Sequence, residues 1–224
     1  GAHAGAAVAT DVDTIVIGAP GDEGVAGEVF VYQRDSPKPD EWTLGTTLDA
    51  SDGPSASAPG AGFGASLALA GKYLFVGEPG RERESHREGA VYAYELVNSN
   101  WVFRARLIPP NATGDDRIDF GASVAATEDI LVVGAPYADV GGKKDAGLAY
   151  VYDRKGATWV PRSTAQAFAT DPGDQYGTVV AVHGTSVLVT APLEDAPGKN
   201  PLENETINMV ESDWGAGYVF DLLE

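Results

Sequence analysis

The amino-acid sequence predicts an all-β protein made of four similar repeats, and three observations lead to this prediction. The chain of 224 residues holds 28 glycines and 14 prolines, which indicates many turns and therefore many short elements. Short apolar runs bounded by glycine and proline favour strands over helices. An aromatic–glycine pair and a glycine–x–proline group also recur together along the chain, always 14 residues apart, and such periodicity is typical of a repeat architecture.

The two landmarks define the repeats. The glycine–x–proline groups follow one another at intervals of 59, 57 and 56 residues, and they are Gly18-Ala19-Pro20, Gly77-Glu78-Pro79, Gly134-Ala135-Pro136 and the degenerate Thr190-Ala191-Pro192. The aromatic–glycine pairs before them are Phe63-Gly64, Phe120-Gly121 and Tyr176-Gly177. In the first repeat this place holds Ala4-Gly5, so the aromatic residue is missing and the glycine is kept.

Each repeat is predicted to contain four short strands. The first is small and apolar, the second is rich in β-branched residues, the third alternates with aromatic residues, and the fourth follows Trp42, Trp101 or Trp159. The last repeat ends before a tryptophan segment, so we expect about 15 strands and a last sheet that lacks its fourth strand. Gly71-Lys72 and Gly184-Thr185 suit two-residue turns between first and second strands.

A repeat of about 55 residues with four antiparallel strands is the unit of a β-propeller, in which each sheet forms one blade. We therefore predict a single propeller domain over residues 1–224, with repeats at about 1–62, 63–119, 120–175 and 176–224. The recurring Tyr32, Tyr94, Tyr152 and Phe220 indicate packing between blades. The sequence leaves open whether four blades close as a compact ring, belong to a longer propeller, or close through partner chains.

At these landmarks the chain resembles the FG-GAP repeat family, which forms the blades of integrin α-subunit headpieces. The resemblance extends from about Ala4 to Phe220 and is strongest in the second and third repeats. It implies a β-propeller, usually of seven blades, that serves in binding. Integrin-type blades often carry a calcium loop between the first and second strands. Here the nearest counterpart is Asp11-Val12-Asp13, which lacks the remaining ligands, so the family's calcium site is not transferred to this chain.

The charge balance excludes several partners. A formal net charge of −18 repels phosphate backbones and anionic lipid surfaces, so we expect neither nucleic-acid binding nor membrane insertion. The absence of cysteine excludes disulfides and thiol chemistry. Asn111 and Asn204 begin N-glycosylation tripeptides, which together with the family resemblance favours an extracellular, cell-surface or secretory-lumen location.

The loops supply the candidate sites. Glycine-rich acidic loops make Ca²⁺ an optional ligand, with Asp22, Glu23, Asp139 and Asp145 as candidate metal residues, although aspartate also caps turns without a metal. The longest loop, residues 193–214, is the best binding candidate because insertions on one face of a repeat protein often mark its binding face. Its candidate contact residues are Glu194, Asp195, Glu203, Glu205, Met209, Glu211, Asp213 and Trp214.

Three functional hypotheses follow. The first is a non-enzymatic adhesion or scaffold module that binds a protein or glycan through the loops of one face and requires no cofactor. The second is a structural subunit packed against neighbouring chains at the open edge of the last blade. The third is a propeller hydrolase. No reaction is indicated, because His3, His86 and His183 fall at unrelated places in different repeats and no nucleophile–base pair can be argued.

Overall fold

The computed structural model describes residues 3–22, 24–35, 38–50, 59–83, 86–110, 117–167, 171–194 and 215–222. These ranges contain seventeen strands and no helix, so the all-β prediction is confirmed. Across the same ranges, no helix is long and apolar enough to span a bilayer.

The first two sheets each follow the predicted order of four strands. Blade 1 consists of β1 (Ala7–Thr10), β2 (Thr14–Ala19), β3 (Glu28–Asp35) and β4 (Lys38–Asp49), each paired antiparallel with the next. Blade 2 consists of β5 (Ser66–Ala70), β6 (Tyr73–Glu78), β8 (His86–Val97) and β9 (Asn100–Leu107). Two short strands extend blade 2: β7 (Glu82–Arg83) pairs antiparallel with β8, and β10 (Arg117–Phe120) pairs parallel with it.

The last two sheets complete the set. Blade 3 consists of β11 (Ser123–Ala126), β12 (Ile130–Ala135), β13 (Leu148–Lys155) and β14 (Thr158–Ala165). Blade 4 consists of β15 (Val180–His183), β16 (Ser186–Ala191) and β17 (Ala216–Asp221), again antiparallel. The last blade therefore has three strands among the described residues, as predicted, and β7 and β10 are additions that the sequence pattern did not reveal.

The four sheets stand side by side as propeller blades. The first strands of adjacent blades lie close together, β1 against β5, β5 against β11 and β11 against β15, whereas the fourth strands make no comparable approach. Blades that converge at their first strands and diverge at their fourth radiate from a common axis. Within the described residues β1 and β15 do not pack together in this way, so the four blades form an arc rather than a closed ring.

The aromatic–glycine landmark is a tight turn that opens each blade. The residue after the glycine donates its backbone N–H to the residue before the aromatic, as from Ala65 to the carbonyl of Gly62 at 3.0 Å. The turn glycine has a positive φ in every blade, between +90° and +95°, which is the geometry of a type II turn. Its own N–H then donates to the carbonyl of the second landmark, from Gly64 to Gly77 at 3.0 Å in blade 2. This hydrogen bond explains the fixed spacing between the landmarks.

The glycine of the second landmark is required by the next blade. A Cβ on Gly18, Gly77 or Gly134 would overlap the carbonyl oxygen of the turn glycine of the following blade. Ser66 Oγ donates to that same oxygen, the carbonyl of Gly121, at 2.7 Å. The small residues of the first strands therefore also make the contact between blades.

Each blade has a rear face, which packs on the preceding blade, and a forward face, which packs on the following one. Val16, Val29 and Val31 on the forward face of blade 1 form one core with Leu67 and Tyr92 on the rear face of blade 2. The same arrangement recurs between blades 2 and 3 and between blades 3 and 4. The hydrophobic core of the protein is thus a series of layers between blades.

Three of the recurring aromatic residues, Tyr94, Tyr152 and Phe220, lie in these layers, in keeping with their predicted packing role, whereas Tyr32 does not. Tyr94 donates its hydroxyl to the Asp49 carbonyl at the end of β4 in the preceding blade (3.3 Å), and Tyr152 donates to the Ile108 carbonyl (3.4 Å). The aromatic residues of the opening turns, Phe63, Phe120 and Tyr176, are at most 1% exposed. These contacts fix the angle between neighbouring blades.

Candidate functional site

The two ends of the blades differ in the length of their connections. At one end the first and second strands are joined by short turns, and Gly71-Lys72 and Gly184-Thr185 form the predicted two-residue turns, with φ of +55° and +58° at the glycines. Blades 1 and 3 use longer turns at this place, residues 11–13 and 127–129, because a side-chain oxygen of Asp11 or Thr127 accepts backbone N–H groups there. The turns of blades 1 and 3 are thus one residue longer than the two-residue turns of blades 2 and 4.

The opposite end, which we name the loop face, carries the long connections between second and third strands and between successive blades. In blade 1, Asp22 Oδ1 accepts the N–H of Gly24 at 3.3 Å, and a β-bridge joins Asp22 to Val25. Asp22 thus caps a turn, the structural role that aspartate commonly has. Glu23, its partner among the candidate metal residues, lies outside the described residues.

In blade 3 the loop-face connection contacts the segment that leads into blade 4. Asp139 Oδ1 accepts the N–H of Asp145 at 2.9 Å, and the Asp145 carbonyl accepts the N–H of Gln175 at 3.2 Å. Lys143 pairs with Asp171 at 3.3 Å across the same contact. Asp139 and Asp145 therefore close their own loop. Across the described ranges, no three His, Asp or Glu side chains group so as to hold a metal ion, and Ca²⁺ binding stays a prediction.

The long loop of blade 4 begins at a buried carboxylate. Glu194 is 5% exposed, and its Oε2 accepts the hydroxyl of Tyr218 at 2.9 Å. Burial and the hydrogen bond to this carboxylate together raise the pKa of Tyr218 above its ordinary range. Glu194 thus links the residues that follow β16 to β17. The other predicted contact residues of this loop, Asp195, Glu203, Glu205, Met209, Glu211, Asp213 and Trp214, lie outside the described residues, as do the glycosylation candidates Asn111 and Asn204.

Blade 2 holds a second tyrosine–carboxylate pair, which sequence reasoning missed. Glu78 is fully buried, and its Oε2 accepts the hydroxyl of Tyr92 at 2.7 Å and lies 3.6 Å from Arg81 Nη1. Burial, followed by the negative charge of Glu78, raises the pKa of Tyr92. A signal was present in the sequence: the middle residue of the glycine–x–proline group is alanine at Ala19, Ala135 and Ala191, and glutamate only here.

A third polar cluster lies where β10 meets β8 on the loop face. Arg117 donates to Asp119 Oδ2 through Nε (2.9 Å) and Nη2 (2.6 Å), and its guanidinium carbon lies 3.5 Å from the centre of the Tyr137 ring. Arg87 Nε lies 3.6 Å from the other oxygen of Asp119. The arginines are partly exposed, at 41% and 44% of their side-chain surface, while Asp119 is buried. The loop face therefore combines anchored carboxylates with accessible arginines, an arrangement suited to recognition through charge.

Comparison with known proteins agrees with the repeats in these blades. The FG-GAP repeat model matches residues 101–152, which run from β9 of blade 2 to β13 of blade 3. Integrin alpha-7 of Rattus norvegicus is 29% identical over 212 residues, which covers 84% of this chain and 18% of the integrin. The chain thus spans less than one fifth of the length of that relative.

Two solved structures overlap with the chain at low identity. The N-terminal domain of Nup159 gives a TM-score of 0.47 at 11% identity, covering 97% of this chain and 44% of that domain. An α-L-arabinofuranosidase from Lactobacillus brevis gives a TM-score of 0.45 at 12% identity, covering 93% of this chain and 68% of the enzyme. The matched repeat and the hydrogen-bonded landmarks agree: residues 101–152 are similar to an FG-GAP repeat, and the same landmark hydrogen bond recurs in all four blades.

Proposed function

We propose that this chain is a non-enzymatic binding or scaffold module that recognises a protein or a glycan with its loop face. The observation that carries the proposal is the difference between the two ends of the blades. One end has turns of two or three residues, while the other has longer connections, beside which the described residues Glu78, Glu194 and Asp119 are buried and hydrogen-bonded. Loops presented on a rigid scaffold are the usual place for recognition.

The chemistry of the loop face favours a charged partner. The net charge of −18 attracts basic surfaces and cations over long distances and raises their association rate. We propose that the partner is basic or is bridged by Ca²⁺, and that binding takes place outside the cell, at its surface or in a secretory lumen. The relationship to an integrin alpha chain supports this location and a protein ligand.

A structural role in a larger assembly is the second candidate. Within the described residues, β17 pairs with β16 on one side and forms the outer edge of blade 4. An open strand edge can accept a strand from a neighbouring chain. An enzymatic role receives less support, because His3, His86 and His183 lie in three separate blades, in the opening turn of blade 1, in β8 and in β15.

A binding screen with matched charge variants tests the main proposal. The immobilised chain is presented to a glycan array and to a panel of basic extracellular proteins, with and without Ca²⁺. Asp171→Lys alters an exposed loop-face aspartate that pairs with Lys143, and Asp129→Lys alters an exposed aspartate at the opposite end that pairs with Arg154. We expect Asp171→Lys to weaken binding of a basic ligand about tenfold or more, while Asp129→Lys leaves it unchanged. Equal effects of the two variants, or no ligand under either condition, would contradict the proposal.

A further inference from the structure

Two arginines on the loop face share one buried carboxylate. Arg117 and Arg87 are directly paired where β10 runs parallel to β8, and both reach Asp119. Within the described residues, no other carboxylate lies within ion-pair distance of either guanidinium. Two positive charges therefore meet one negative charge, and one positive charge of this cluster remains uncompensated.

The guanidinium of Arg117 is fixed in orientation. Its Nε and Nη2 both donate to Asp119 Oδ2, at 2.9 Å and 2.6 Å, and its carbon lies 3.5 Å from the centre of the Tyr137 ring. Bonding along one edge and stacking on one face together determine the plane of the group. Because 41% of the side-chain surface is exposed, this fixed guanidinium is presented to solvent.

Arg87 supplies unused hydrogen-bond donors beside it. Its Nε lies 3.6 Å from Asp119 Oδ1, which is too long for a hydrogen bond, and in the part of the chain that the structure describes it donates no hydrogen bond. Its side chain is 44% exposed. A guanidinium offers a planar fork of N–H donors that matches a carboxylate. Arg87 can therefore close on one further carboxylate next to Arg117, and that carboxylate would neutralise the remaining charge.

Packing between blades does not require this arginine pair. The same contact occurs three times, because a Cβ would overlap the carbonyl oxygen of the next blade's opening aromatic residue at each of Gly27, Gly89 and Gly147. Counted from these landmarks, the positions of the two arginines hold Val25 and Gly60 between blades 1 and 2, and Asp145 and Gly173 between blades 3 and 4. The arginines thus belong to one contact only, which favours a role in recognition over a role in the repeat.

We propose that Arg87 and Arg117 bind the carboxylate of an aspartate or glutamate that a protein partner carries within an otherwise basic surface. The basic character of the partner rests on the proposed function. A polyanionic glycan would be repelled at every charge by the field of a chain with net charge −18, whereas a basic protein surface is attracted and brings a single carboxylate to the arginines. The pair would then fix the orientation of the partner, because matched charges set the register of an interface.

A peptide with one carboxylate tests this proposal on the intact chain. The probe is a capped pentapeptide with a central glutamate between glycines and a lysine at each end, and its control carries glutamine instead. The control is the more positive peptide, so long-range attraction to the acidic chain favours the control, and a preference for glutamate must come from a local contact. Nuclear magnetic resonance of the arginine Nε–H groups, assigned with the variants below, reports binding at each guanidinium.

Arg104 is the matched control within the chain. It also donates to a buried carboxylate, Glu95, at 2.8 Å and is 37% exposed, but Glu95 pairs with Lys72 of the short turn at the opposite end of the blades. We expect the glutamate peptide to shift the Nε–H signals of Arg87 and Arg117 with a dissociation constant below about 10 mM, at least about tenfold lower than that of the glutamine peptide. The signal of Arg104 should not move.

Arg87→Gln should remove the preference for glutamate, Arg87→Lys should keep only part of it because lysine lacks the fork, and Arg104→Gln should leave it unchanged. Thermal melting checks that each variant is folded. Equal binding of the two peptides, no saturable shift at Arg87, or an unchanged preference in Arg87→Gln would overturn the proposal. A sulfated heparin tetrasaccharide that binds the pair more tightly than the peptide would overturn the choice of a protein partner. Glutamate-selective binding at the arginines would support the proposal even if the ligand screen found nothing, which would contradict the proposed function alone.

Discussion

At the scale of single residues, three strand glycines are fixed by contact with the neighbouring blade rather than by the geometry of their own strand. Gly18, Gly77 and Gly134 lie within regular β-strands, where glycine is ordinarily unfavourable. Each leaves room for a carbonyl oxygen of the next blade. Thr190 occupies the fourth such position, in blade 4.

Gly77→Ala tests this steric argument. Its Cβ would overlap both the Gly121 carbonyl and Ser66 Oγ, so blades 2 and 3 must move apart. We expect a loss of about 2–3 kcal/mol in the free energy of unfolding, measured by urea denaturation. Gly24→Ala is the control, because a Cβ there meets nothing within 4 Å, and its effect should stay within about 0.5 kcal/mol. Equal losses in the two variants would refute the argument.

At the scale of the element, the fourth strands of blades 2 and 3 each contribute a tryptophan to the layer between their own blade and the preceding one. Trp159 on β14 is 6% exposed and packs edge-on against Tyr73 and Phe75 of blade 2, with ring centres 5.6 Å and 4.8 Å away. Trp42 on β4 stands at the same repeat position, but in blade 1, whose rear face is uncovered. It is only partly buried, with the Arg34 guanidinium 4.9 Å from its ring.

The two tryptophans should therefore differ in their contribution to stability. Trp159→Ala removes a buried ring from between two blades and should lower the free energy of unfolding by about 3–5 kcal/mol. Trp42→Ala removes a ring that no preceding blade covers, and a loss of about 1 kcal/mol or less is expected. Denaturant unfolding of the two variants gives both values. Equal losses for Trp42→Ala and Trp159→Ala would contradict the argument.

At the scale of the whole molecule, the layers between blades bury tyrosines that must stay neutral. Burial raises the pKa of Tyr92, Tyr152, Tyr176 and Tyr218, and in Tyr92 and Tyr218 a carboxylate adds to the effect. A pKa that is higher in the folded than in the unfolded chain gives stability that is complete below the unfolded value of about 10. That stability is lost as the pH rises further.

The protein should accordingly unfold at high alkalinity, with onset above about pH 10, and its buried tyrosines should ionise together with unfolding. Tyrosinate absorbance and circular dichroism recorded along the same titration measure the two events. Tyr176→Phe supplies the residue that blades 2 and 3 use at this position, so we expect unchanged stability at pH 7 and a higher alkaline midpoint. Gradual tyrosine ionisation well before unfolding would contradict the expectation.

Much of the fold was predictable because the same weak local sequence patterns recur in each repeat. Four occurrences of two landmarks at fixed spacing predicted the blades, their strand order and the three-stranded last blade. The pairing of β7 and β10 with β8 was not predictable, because two- to four-residue strands carry no pattern of their own. In the candidate site, the turn-capping role of Asp22 followed from residue type, whereas Tyr92 reaches Glu78 and Arg87 reaches Asp119 only because β6 and β10 both pair with β8.

The sequence by itself determined the blades, since strand alternation, turn residues and the spacing of the landmarks are local properties of the chain. Only the tertiary structure decided how the blades meet. The overlap that excludes a side chain at Gly77 comes from Gly121 of the following repeat, and Tyr92 is buried in one core with Val16 and Val31 of the preceding repeat. The physical reason is that local preference shapes each sheet. Apolar burial and steric fit between sheets join distant parts of the chain, and they set how the blades are placed relative to one another.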